Sequence, residues 1–148
     1  MQSSTNSYEE LIIILEREFA LCSDLVKLLQ NEKDVIGSLD IEALDGHLRD
    51  KELVAAKIKA CEVTRERLLD SLGMTNKTLS EVAAGAGPDY GGRLSLISSK
   101  FKSIAHSIAE LNTLNSLLIE KSLLYVKSSR NFLKTFGINP SSRISMEA

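Results

Sequence analysis

Residues 93–136 read RLSLISSKFKSIAHSIAELNTLNSLLIEKSLLYVKSSRNFLKTF, forty-four positions without a proline or glycine. From Leu94, every third or fourth residue forms one row: Leu94, Ile97, Phe101, Ile104, Ile108, Leu111, Asn115, Leu118, Ser122, Tyr125, Ser129, Phe132 and Phe136. An unbroken alternation of three and four is the seam of a coiled-coil-like helix. The row is apolar as far as Leu111. From Asn115 onward alternate positions turn polar (Asn115, Ser122, Ser129), and a second apolar row of Leu114, Leu117, Leu124 and Leu133 runs beside it. The helix thus presents one face in its first half and another in its second.

Two more long helices precede it. In residues 8–37, Ile14, Leu21, Leu28 and Val35 form one row at seven-residue spacing, and Leu15, Cys22, Leu29 and Ile36 a second. A third row, Leu11, Leu25 and Leu39, is interrupted by Glu18 and Glu32. Adjacent rows make a broad buried face, as in a bundle. Ser7 is the expected N-cap and Gly37 the expected stop. Asp40 is placed to cap the next helix, 41–72, which carries Leu44, Leu48, Val54, Ile58, Cys61, Leu68 and Leu72 with Lys51 and Arg65 on the same side. So short a turn makes the two helices antiparallel neighbours, with paired residue numbers adding to near 80. Cys22 and Cys61 then fall in neighbouring layers. Residues 74–92 read as a linker: Thr78-Leu-Ser-Glu81 has the form of a capping box for a short helix over Leu79–Ala84. The glycine-rich run 85–92 reads as a flexible connection; without a preceding strand or a GK[ST] ending it is not a phosphate loop. Residues 137–148 read as a polar, disordered tail. The expectation is an all-α single domain, an antiparallel hairpin plus a longer third helix in an elongated three-helix bundle.

The length mismatch carries a functional expectation. The hairpin helices have about 30 residues each and the last about 44, so its end should pass the hairpin turn by roughly 20 Å. That overhang places Ile119, Leu123, Leu124, Tyr125, Val126, Phe132, Leu133 and Phe136 at a candidate partner surface. Asn115 is read as a buried residue setting helix register, and Asn112 as a possible contact.

Composition narrows the class. Residues 1–72 carry 15 acidic and 9 basic side chains, whereas 90–136 carry 7 basic and 2 acidic, so the last helix complements the first two in charge. Its cations are spread around the helix rather than interleaved with aromatics, which argues against nucleic-acid binding. Met1–Ser7 lacks Lys and Arg, and the apolar run Leu11–Leu15 is too short for a signal core or a membrane span; the expectation is a cytoplasmic protein without membrane insertion. Cys22, Cys61, His47 and His106 form no ligand or nucleophile pattern, so no cofactor, metal or catalytic site is expected. The Asn76-Lys77-Thr78 sequon carries no weight without a secretory route.

The order of these features resembles the FlgN family of bacterial flagellar export chaperones over most of residues 8–137. Leu11–Glu18 with Glu32, then Asp40-Ile-Glu-Ala-Leu44, Lys51-Glu52, Glu62, Arg65 and Leu68-Leu69 before Leu72-Gly73, are similar to the family's first two helices. Leu111-Asn112, Asn115 and Leu118-Ile119 resemble its Asn-x-x-Asn followed by Leu, and Phe136-Gly137 its aromatic-then-glycine ending. The glycine-rich loop departs from the pattern. The resemblance implies a cytoplasmic, non-enzymatic chaperone whose C-terminal region binds hook-associated proteins of the hook–filament junction and delivers them to the flagellar type III export machinery. The competing expectation is a self-associating structural or adaptor coiled coil, a homodimer closed through the same helix end.

Overall fold

The computed structural model describes residues 2–137, with side chains from Asn6 onward. The tail expected at 138–148 lies outside the described residues. The described residues form four helices: α1 (Gln2–Ser38), α2 (Ile41–Ser71), α3 (Leu79–Gly85) and α4 (Pro88–Thr135). The fold is all-α, an elongated helical bundle.

The helix ends correct the sequence reading in three places. First, α1 begins six residues before Tyr8, and Ser7 lies inside it rather than capping it. No proline or glycine stands between Gln2 and Tyr8 to interrupt the helix, and Tyr8 is anchored by stacking on Tyr90 with ring centroids 5.3 Å apart. Second, α1 runs through Gly37 to Ser38. The left-handed residue of the turn is Leu39 (φ 53°), the first position past the end of α1. Asp40 Oδ1 accepts from the Glu42 and Ala43 N–H groups at 3.0 and 3.3 Å, as its sequence position implied. Third, the glycine-rich run is not a loose linker: α4 starts at Pro88 rather than Arg93 and takes Gly91 and Gly92 into its first turns. Proline suits the first helical position, where its fixed φ fits and its missing N–H is not needed. Gly91 suits the packing: a Cβ there would stand 3.1 Å from the Ala83 carbonyl oxygen, and α3 would have to give by a few tenths of an ångström. The capping box of α3 forms as the sequence suggests, with Thr78 and Glu81 exchanging side-chain-to-backbone bonds.

Helix α1 is the centre. It packs along both α2 and α4, and α3 packs on α4. Glu18 pairs with Arg65 and Glu32 with Lys51, both adding to 83, so α1 and α2 are antiparallel in nearly the expected register. Glu9 pairs with Arg93 and Leu29 with Asn115, 84 and 86 residues apart, so α4 runs parallel to α1. At the end where α1 begins, α3 closes the main core: Val82 and Ala83 join Leu11, Leu15, Leu68, Leu69 and Leu94. Each fully buried apolar side chain there is worth on the order of 1.5–3 kcal/mol. The two charges that break α1's apolar row are buried and paired. Both oxygens of Glu18 accept from Arg65 Nη1 at 2.7 Å. Charge complementarity between α4 and the hairpin is narrower than expected: among the described residues the ion pair joining them is Arg93–Glu9.

Candidate functional site

The distal half of α4 meets the hairpin turn and then leaves it. With the α1–α4 offset near 84, Ser38 at the end of α1 lies beside residue 122 or so, and the thirteen residues 123–135 extend about 20 Å farther. Asn115 sits at the last buried stretch of the seam. Its Nδ2 donates to the Leu29 carbonyl oxygen at 2.8 Å, tying one α4 position to one turn of α1. Asn112 is exposed.

Beyond Asn115 the candidate residues divide. Leu124, Tyr125, Phe132 and Phe136 are each more than 60% exposed, and Ile119 and Leu123 are exposed to a lesser degree. Leu133 is half-buried. Val126 is the correction: it is 9% exposed, because it faces the hairpin turn rather than solvent. The Phe132 and Phe136 rings lie 4.9 Å apart, a local aromatic pair on the projecting end.

Between the turn and α4 lies a hollow of about 330 Å³. Helix α4 contributes Ile119, Ser122, Leu123 and Val126, and the hairpin contributes Val35, Ile36, Leu39, Leu44 and Leu48. The hairpin residues were not among those the sequence singled out. Leu44 and Leu48 do lie on one face of their helix, but nothing in the sequence says that this face would be left open next to α4. A second hollow of about 340 Å³ lies one to two turns back, beside Leu29, Leu111, Leu114 and Leu118.

A buried polar cluster supports the wall of the first hollow. Glu32 accepts from Lys51 Nζ at 2.9 Å and meets His47 Nε2 at 3.0 Å. Burial alone would raise the Glu32 carboxyl, but the bonds from His47 and Lys51 outweigh it and hold the carboxyl below its ordinary value. His47 is buried and was not expected in any site; the signal that finds it is its antiparallel register with Glu32, near the common sum of the hairpin. At Glu18 the balance is reversed: burial outweighs Arg65, and the carboxyl is raised.

The charged side chains lining the hollow are Glu32 and Asp40, and a run of cations lies along the outer part of α4. Lys121, Lys127, Arg130 and Lys134 follow one another along α4 with no carboxylate after Glu120. Catalytic chemistry has no foothold at the two cysteines. Cys22 and Cys61 are buried and unbridged, and burial pushes both thiols up, away from the reactive thiolate. Among the described residues no His, Cys, Asp and Glu group could hold a metal, and no helix is long and apolar enough to cross a membrane.

A family model described as FlgN protein matches residues 1–137. No curated protein and no solved structure matches the chain. An all-α bundle with no catalytic constellation among its described residues, matched over nearly its whole length by that model, belongs to the FlgN family of non-catalytic chaperones of flagellar export.

Proposed function

We propose that this chain acts in the cytoplasm, binds hook-associated proteins of the hook–filament junction through the distal half of α4, and keeps them competent for the flagellar export machinery. The observation that carries the reading is the row Leu124, Tyr125, Phe132 and Phe136, exposed on a helix end that projects beyond the hairpin. Apolar surface held in that way serves a partner. A helical segment laid along α4 would engage residues one turn apart, the helix-in-groove mode of recognition. Each aromatic or leucine buried by the partner adds about 1.5–3 kcal/mol before ordering costs.

The test is binding of the purified full chain to a purified hook-associated protein of the same bacterium, by titration calorimetry. One-to-one binding is expected. The combined change Leu124→Ser, Tyr125→Ser, Phe132→Ser should abolish it while the thermal melt of the helices is retained, since all three side chains are exposed. Undiminished binding by that variant removes this surface from consideration.

A further inference from the structure

The second hollow differs in kind from the one at the hairpin turn. It takes no residue from α2: its two walls are α1 and α4 alone. Helix α1 gives it Leu29 and Lys33, and α4 gives it Leu114, Leu117, Leu118 and Lys121. The three α4 leucines are exposed, and with Lys121 they are spaced three and four apart, so they share one face. Two parallel helices with an apolar furrow between them offer a seat for one more helix, as in a four-helix bundle. Among the described residues no element lies in that seat.

The charged side chains lining the furrow are both cations. The bond from Asn115 to Leu29 sets the register, so Lys33 stands level with residue 119 and within about one turn of Lys121 on the other wall. Both lysines are exposed and, among the described residues, neither is in an ion pair. Asp34 and Glu120, their neighbours in sequence, are not part of the lining, and Glu110, one turn before Leu114, pairs with His106 at 3.4 Å. Two ammonium groups facing one furrow repel, and an anion laid between them relieves both. The furrow also runs into the projecting row: Leu124 follows Leu117, and Tyr125 follows Leu118, by two turns on the same face. A second copy laid face to face would set lysines against lysines, which disfavours it as the occupant.

We propose that the furrow between α1 and α4 seats an acidic amphipathic helix of the client, its apolar stripe on Leu114, Leu117 and Leu118 and its carboxylates between Lys33 and Lys121. The proposal deepens the chaperone reading and rests on it. It extends the docking surface from the projecting end of α4 back along the bundle and onto α1, through Lys33. It also assigns a chemical preference: a client segment with Asp or Glu flanking a leucine-type stripe is favoured over a basic one of equal hydrophobicity.

The experiment uses two fluorescein-labelled helical peptides with the same leucine stripe, one with glutamates and one with lysines flanking it, titrated into the full chain by anisotropy. The acidic peptide should bind about tenfold more tightly. The double reversal Lys33→Glu with Lys121→Glu should weaken it by about tenfold, the scale of two exposed ion pairs, and should make the basic peptide the tighter of the two. All of these side chains are exposed, so the helical circular dichroism should be unchanged. The control Lys127→Glu, on another face of α4, should change either affinity by less than about threefold. Leu114→Ser with Leu117→Ser should weaken both peptides. Equal affinity for the two peptides, no binding of the acidic one, or a preference that survives the double reversal overturns the proposal. So does a wild-type dimer in sedimentation that Leu117→Asp dissolves, which would give the furrow to a second copy. In parallel, the hook-associated protein is titrated into the same variants. If it binds wild type and the double reversal equally, the chaperone reading stands and the furrow falls; if it does not bind wild type, the chaperone reading itself falls, whatever the peptides do.

Discussion

Replacing Arg65 by methionine isolates the most consequential charge in the bundle. Glu18 has 4% of its side chain exposed and Arg65 24%, and the guanidinium gives both carboxylate oxygens a 2.7 Å partner. Without Arg65 the carboxylate is buried and alone, a situation that costs about 3–5 kcal/mol when it cannot be relieved. It can be relieved by protonation. For a carboxyl with an ordinary value of 4.5, taking up a proton at pH 7 costs roughly 3.4 kcal/mol; the wild-type carboxyl is already raised, so the loss should stay below about 3 kcal/mol. In the wild type burial already raises the Glu18 carboxyl, and removing Arg65 raises it further. A carboxyl raised in the folded state favours the fold where it is protonated, so the deficit is greatest at neutral pH. It should shrink by about 1.4 kcal/mol per pH unit on acidification and vanish as the pH reaches the wild-type folded value, which burial holds above 4.5. Urea unfolding followed by circular dichroism at pH 7, 6 and 5, on wild type and Arg65→Met, measures this. The companion variant Glu18→Leu with Arg65→Met should recover to within about 1 kcal/mol of wild type, since apolar replacement of a buried pair is often neutral. A deficit under about 1 kcal/mol at pH 7, or one that does not change with pH, would refute the account of a desolvated pair.

Glu32 should behave in the opposite sense: its carboxyl is held below the ordinary value, so its stabilising effect is present above pH 4.5 and lost as pH falls through the folded value. Glu32→Gln should therefore lower neutral stability, and its acid unfolding curve should converge with that of wild type. Val126→Asp, at a 9% exposed position, should cost about 2–4 kcal/mol in urea unfolding, whereas Leu124→Asp, at 63%, should stay within about 0.5 kcal/mol and act only on partner binding. Leu39→Gly relieves a non-glycine residue at φ 53°, and because Leu39 is 48% exposed it should raise the melting temperature by a few degrees; a lowered melting temperature would refute this.

How much of this was legible in advance varies with the range of the interaction involved. The long helices, the Asp40 cap and the Thr78–Glu81 capping box depend on residues within four positions of one another, and the sequence displays them directly. The start of α4 does not work that way. Glycines at 91 and 92 lower local helix preference, and it is the stacking of Tyr90 on Tyr8 and the close approach of Ala83 that hold them in the helix. Similarly, Glu18 and Glu32 look like defects in an apolar row until Arg65, Lys51 and His47 arrive from the other arm of the hairpin. Val126 belongs to the same run as Leu124 and Tyr125; only its direction relative to the turn buries it.

By itself, then, the chain's periodicity determined that three long helices form, that the first two fold back on each other, and that the third outruns them, because helical pitch and a two-residue turn leave no other economical arrangement. Tertiary structure decided what stands beside what. It put α1 in the centre, set α4 parallel to it with Asn115 on Leu29, wedged α3 into one end of the bundle and left the other end open between Leu44, Leu48 and Leu123. A sequence pattern reports which face of a helix is apolar. Whether another element covers that face depends on contacts between residues tens of positions apart, and that is where the open hollow comes from.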